Sequence, residues 1–106
     1  MIDRVRALGS PQARLAADLL AASNKLEERE KARHAPLHDP STLLALLRPD
    51  LFEGRNARVT VEMREGARFG KTMPDYCEDG HILWYTQVDA EAAFSELLGQ
   101  LGRYPA

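Results

Sequence analysis

The apolar residues of this 106-residue chain change their spacing at one point, and that change limits it to helices followed by a small sheet and a closing helix. Up to Leu47 the spacing is helical. Ile2, Val5 and Leu8 share one face of a short segment that Gly9 ends. Ser10 before Pro11 is a helix start: a side chain that can cap, then a residue whose φ suits the first turn. From there Leu15, Leu19, Ala22 and Leu26 predict one apolar stripe along a helix of about five turns. Its far end, Glu27 to Arg33, mixes charges and reads as solvated helix surface. Pro36 and Pro40 exclude regular helix between His34 and Pro40. Asp39 before Pro40 repeats the cap-then-proline signal, so a second helix is expected from Pro40 to Arg48, stopped by Pro49. The Asp39 carboxylate should then accept from the backbone N–H of Ser41 or Thr42.

Beyond a turn at Pro49 to Phe52, closed by Gly54, the pattern alternates. Val59, Val61 and Met63 fall on one side and Thr60, Glu62 and Arg64 on the other, which describes a half-buried strand. Glu65-Gly66 predicts a hairpin turn into a second strand from Ala67 to Met73, in which Gly70 reads as a bulge. Pro74 to Gly80 is polar and turn-rich. A third strand is expected from His81 to Val88, with Trp84 and Tyr85 as packing residues. Asp89 reads as the cap of a last helix whose buried stripe is Ala93, Phe94, Leu97, Leu98 and Leu101, ended by Gly102. The order is helix, helix, three strands, helix: α+β for the chain taken alone, and one domain at most.

Charge and composition exclude several classes. The net charge is -2, and Lys and Arg alternate with acids instead of forming a basic patch, so no nucleic-acid partner is indicated. The segment after Met1 lacks the apolar core of a signal peptide, and the longest strictly apolar run, Leu43 to Leu47, is too short to span a bilayer. A lone Cys77 makes no internal disulfide. A soluble, cytoplasmic protein without a membrane partner is the expectation.

Five short motifs occur in one order. They are Ala35-Pro36-Leu37-His38-Asp39-Pro40 leading into an apolar helix; Arg48-Pro49-Asp50-Leu51-Phe52-Glu53-Gly54-Arg55; Val59-Thr60-Val61-Glu62; Gly70-Lys71-Thr72; and Val88-Asp89 with Phe94 behind it. Together they resemble the C-terminal segment of an inosine–uridine-preferring nucleoside hydrolase, about the last third of such a protein. The resemblance implies part of a mostly parallel α/β fold with its site at the strand C-termini, and hydrolysis of the N-glycosidic bond of ribonucleosides to ribose and base. It implies that His38 is the catalytic residue donating a proton to the leaving base and that Asp39 is a calcium ligand. The pairing is chemically sensible, because a histidine can protonate the departing base while a carboxylate holds a cation beneath the sugar.

The chain also departs from that pattern. The family's aspartate-rich motif, which supplies most calcium ligands and the base on water, has no counterpart here: Asp3, Asp18, Asp39, Asp50, Asp75, Asp79 and Asp89 are scattered singly. Leu26 stands where members often place an aromatic beside the base. The expectation is therefore a single partial domain over residues 1–106, truncated or split, inactive alone and weak for calcium. It should self-associate or bind a complementary N-terminal segment. The faces left open would be those of Leu15, Leu19 and Leu26, of Leu43, Leu44 and Leu47, and of Val59, Val61, Ile82 and Trp84. The alternative is a non-catalytic interaction domain that keeps only the family's shape. Zinc held by His34, His38, Cys77 and His81, and a Cys77–His81 nucleophile pair, are weaker readings of chance spacings.

Overall fold

The computed structural model describes residues 1–31 and 36–106, and at 29–31 the backbone alone. It forms two compact units, Met1–Pro49 with Ala90–Ala106, and Asp50–Asp89.

The first unit is helical: α1 is Ile2–Arg6, α2 Pro11–Lys31, α3 His38–Leu47 and α4 Ala90–Leu101. Gly9, at φ 79, turns the chain between α1 and α2 in a conformation that side chains resist. Ser10 then caps α2 as its sequence predicts, its buried Oγ accepting from the Ala13 N–H at 3.2 Å. The core is Val5, Ala13, Ala17 and Phe94, with Ile2, Leu8, Leu20, Leu97, Leu98 and Leu101 packed around it. The buried face of α2 is thus its alanine face. Leu15, Leu19 and Leu26, on the opposite side, stay 61%, 62% and 58% exposed. Small side chains let α1 approach the α2 backbone, and the Phe94 ring reaches them from α4. In α3 only Leu44 is buried, whereas Leu43, Leu46 and Leu47 are open. An Arg48–Glu96 ion pair at 2.9 Å ties the end of α3 to α4.

The helix after the His38-Asp39 pair starts earlier than Pro40. Leu37 is the N-cap, and its carbonyl accepts from the Ser41 N–H. His38, Asp39 and Pro40 therefore form the first turn, where proline's missing N–H costs nothing. Asp39 is inside the helix instead of capping it, and the N-cap makes no side-chain cap bond.

A 3-10 turn at Pro49–Leu51 leads into the second unit, which holds β1 (Phe52–Val61), β2 (Thr72–Tyr76) and β3 (Ile82–Val88). The sheet is antiparallel in the order β2-β1-β3. β1 begins well before Val59, because pairing with its neighbours carries its polar stretch Arg55-Asn56-Ala57-Arg58. Residues 53–56 are all exposed, so no apolar alternation marks this start, and the bulge beside it lies on β3, where Thr86 is passed over between the partners of Glu53 and Gly54. A Cβ at Gly54 would lie 2.6 Å from the Trp84 carbonyl oxygen, so only glycine fits there.

The second strand is not Ala67 to Met73. That stretch is mostly the hairpin loop, with Gly66 at φ 143 and Gly70 at φ 76. Gly70 does form the expected bulge: its N–H donates to the Glu62 carbonyl while the Glu62 N–H donates to Lys71. The strand runs on through Pro74, which pairs with Val59. β2 is an edge, where a residue without an N–H leaves no ladder bond unmade. Ala57 is the buried residue of this unit, between Tyr76 and Ile82 in register. Val59 and Trp84 are half-buried, and Val61 and Ile82 are exposed.

Candidate functional site

His38 and Asp39 are the first two residues of α3, and both are exposed. The side chains beyond them satisfy local carbonyls: Ser41 Oγ donates to Leu37 and Thr42 Oγ1 donates to the Asp39 carbonyl at 2.7 Å. The Asp39 carboxylate stays uncommitted. Among the described residues neither it nor the His38 ring has a hydrogen-bond or ion-pair partner. An anionic side chain in a first helical turn is favoured by the helix dipole. That position keeps both groups presented to solvent, available to a substrate or to another polypeptide.

Among the described residues no three His, Cys, Asp or Glu side chains are grouped closely enough to hold a metal ion. Asp39 brings one carboxylate, and calcium takes about six to eight oxygens. The other candidates are not assembled either. Cys77 is half-buried with its thiol toward the Asp75 carbonyl at 3.5 Å, and His81 is exposed without a bond to it. His34 lies outside the described residues.

A shallow concavity of about 340 Å³ within the sheet unit, lined by Asp50, Leu51, Glu53, Gln87, Val88 and Asp89, was not signalled by the sequence. Its acids are far apart in sequence and meet because β1 and β3 pair at Phe52 and Val88. No helix among the described residues is long and apolar enough to cross a membrane.

Comparison with known proteins follows the motifs. No protein-family model matches the chain. It is 39% identical over 77 residues to the pyrimidine-specific ribonucleoside hydrolase RihA of Enterobacter sp., a match covering 71% of this chain and 25% of that protein. The RihA of Escherichia coli is 38% identical over 70% of the chain and 24% of its own length. An uncharacterized protein of Schizosaccharomyces pombe is 30% identical over 82% of the chain and 31% of its own length. Among solved structures, a purine-preferring ribonucleoside hydrolase from Gardnerella vaginalis has the same fold, with a TM-score of 0.79 at 20% identity over 95% of this chain and 34% of that one. The chain thus spans about a quarter to a third of the length of the proteins it matches. The mixed helix-and-sheet class and the resemblance read from the motifs are both borne out: by sequence and by fold, this chain is related to the nucleoside hydrolases over a segment of their length.

Proposed function

We propose that this chain supplies the His38-Asp39 segment of a nucleoside N-ribohydrolase, and that residues outside it complete the site. The observation that carries this reading is the identity of 39% to a ribonucleoside hydrolase over a stretch of 77 residues. The solvent-facing, uncommitted side chains of His38 and Asp39 at the start of α3 support it.

The assigned chemistry is hydrolysis of the bond between ribose and base. As that bond breaks, its electron pair goes to the base nitrogen. His38 donates a proton there, and water adds to the sugar carbon. A neutral base leaves far more readily than an anion, and this is what an acid at that position contributes. Asp39 is assigned as one anionic ligand of the completed site. Calcium is the cation expected there, and its remaining ligands and the base acting on water lie outside these residues.

The test is ribose release from inosine and from uridine by the purified chain, with and without millimolar calcium. No turnover above a protein-free blank is expected, and calorimetry should find no micromolar calcium site. Turnover abolished by His38→Ala would show that the chain assembles a whole site by itself, contradicting the incomplete-site reading.

A further inference from the structure

Helix α2 is apolar on two opposite faces, and only one is used. Ala13 and Ala17 are fully buried against Val5 and Phe94. On the other side Leu15, Leu19, Ala22 and Leu26 fall within an arc of about 60° at 3.6 residues per turn. The three leucines are more than half exposed, and Ala22 is exposed as well. Their spacing of four, three and four residues is that of a coiled-coil seam, the pattern by which two helices interlock. The positions that would extend it are Gln12 and Arg29, so the seam is apolar inside and polar at each end.

The charges bordering this seam select its partner. Asp18 and Lys25 lie along the same border, one turn to each side of Ala22, and both are exposed. In a parallel pair of such helices Asp18 would fall opposite Ser23, with no charge to meet, and Lys25 level with Glu30, past the last leucine. Ala22 would then face Ala22 and leave a gap in the middle of the seam. An antiparallel two-fold pair brings Asp18 of one copy beside Lys25 of the other, and does so twice. In that register Leu15 faces Leu26 and Leu19 faces Ala22, so each small residue meets a large one. Spacing, exposure, side-chain size and charge are all self-complementary in this arrangement.

We propose that α2 is a self-association surface, pairing antiparallel with α2 of a second copy of this chain. This inference rests on α2 alone and not on the activity assigned above. The seam is about two heptads long and the interface small, so the dimer is weak and reversible, in the class of transient contacts. The Arg6–Asp18 ion pair at 2.8 Å does not compete, because both side chains are about half exposed or more and the carboxylate can serve a second cation.

Sedimentation of the purified chain from micromolar to near-millimolar concentration should show a monomer–dimer equilibrium. Leu19→Lys should abolish it with the helical circular dichroism unchanged. Asp18→Lys alone sets two ammonium groups together at each flanking contact, and Lys25→Asp alone sets two carboxylates there. Each should weaken the dimer on the order of tenfold, two attractive exposed pairs having become repulsive. Mixing those two variants should restore association as a heterodimer, in which both contacts are again opposite in charge. The double variant Asp18→Lys/Lys25→Asp should recover the homodimer. A monomer at every concentration would overturn the proposal and leave the leucine stripe to a different polypeptide, such as one carrying more of the hydrolase fold. Association insensitive to Leu19→Lys, or a variant mixture no tighter than either variant alone, would overturn it equally.

Discussion

Phe94→Ala is the most telling perturbation of the helical unit. The ring is 8% exposed and closes a cluster in which Val5, Ala13 and Ala17 have no accessible surface. The side chains facing it from α2 are alanines, which cannot reach into the space the ring leaves, so a cavity should persist. Phe→Ala in such a setting costs about 3–5 kcal/mol. Arg4, whose guanidinium lies 5.1 Å from the ring centre, loses its cation–π contact at a cost of about 0.5–1 kcal/mol. For a chain of this size the total stability is on the order of 5–15 kcal/mol. The substitution should therefore remove a large part of it and lower the melting temperature by more than about 10 °C. Urea unfolding followed by helical circular dichroism, at low concentration to exclude association, is the assay. Leu19→Ala is the internal control: on a side chain 62% exposed it should stay within about 0.5 kcal/mol of the parent. A Phe94→Ala variant within about 1 kcal/mol of the parent, or a Leu19→Ala as costly as Phe94→Ala, would mean that the two faces of α2 have been assigned the wrong way round.

Other elements give sharper local tests. Ser10→Ala removes the cap of α2 and should cost about 1 kcal/mol, against no measurable change for the exposed Ser95→Ala on α4. Gly80→Ala would place a Cβ 2.5 Å from the Ala57 backbone nitrogen. The strands must then shift, at about 1–3 kcal/mol, and fluorescence of Trp84, the single tryptophan, reports the loss. The Glu96 carboxyl is held below the ordinary carboxylate range by the Gln100 amide and then by Arg48. A lowered pKa contributes stability that is complete above the unfolded value and lost as pH falls through the folded one. Urea midpoints measured from neutral into acid should fall more steeply for the parent than for Glu96→Gln, and parallel curves would refute the linkage.

What the sequence could reveal depended on how local each signal was. Ser10-Pro11, the α4 stripe and β3 were legible because cap, period and ending agree within a few residues. The leucine stripe of α2 is open, as expected, whereas the alanine face that makes the core carries no signal of its own. Which face is buried is settled by the approach of α1 and the reach of Phe94, which periodicity cannot express. Pro74 reads as a breaker only until β2 is known to be an edge, and the start of β1 is hidden because residues 53–56 are all exposed and carry no apolar alternation. Asp39-Pro40 reads as a cap because Asp-Pro usually marks a boundary. The Leu37 carbonyl, accepting from Ser41, starts the helix before it. Nothing local distinguishes His38 and Asp39 from any exposed pair in a first helical turn. Only the order of the five motifs singled them out.

Whether His38 donates the proton proposed for it can be read in a chimera. The stretch of Escherichia coli RihA that matches this chain would be replaced by the corresponding stretch carrying His38 and Asp39. Ribose release from uridine in the presence of calcium would then be measured. Turnover is expected, and His38→Ala should lower it by about a hundredfold or more, the contribution of a positioned proton donor. A folded chimera that releases no ribose, or one whose release is indifferent to His38→Ala, would contradict that role.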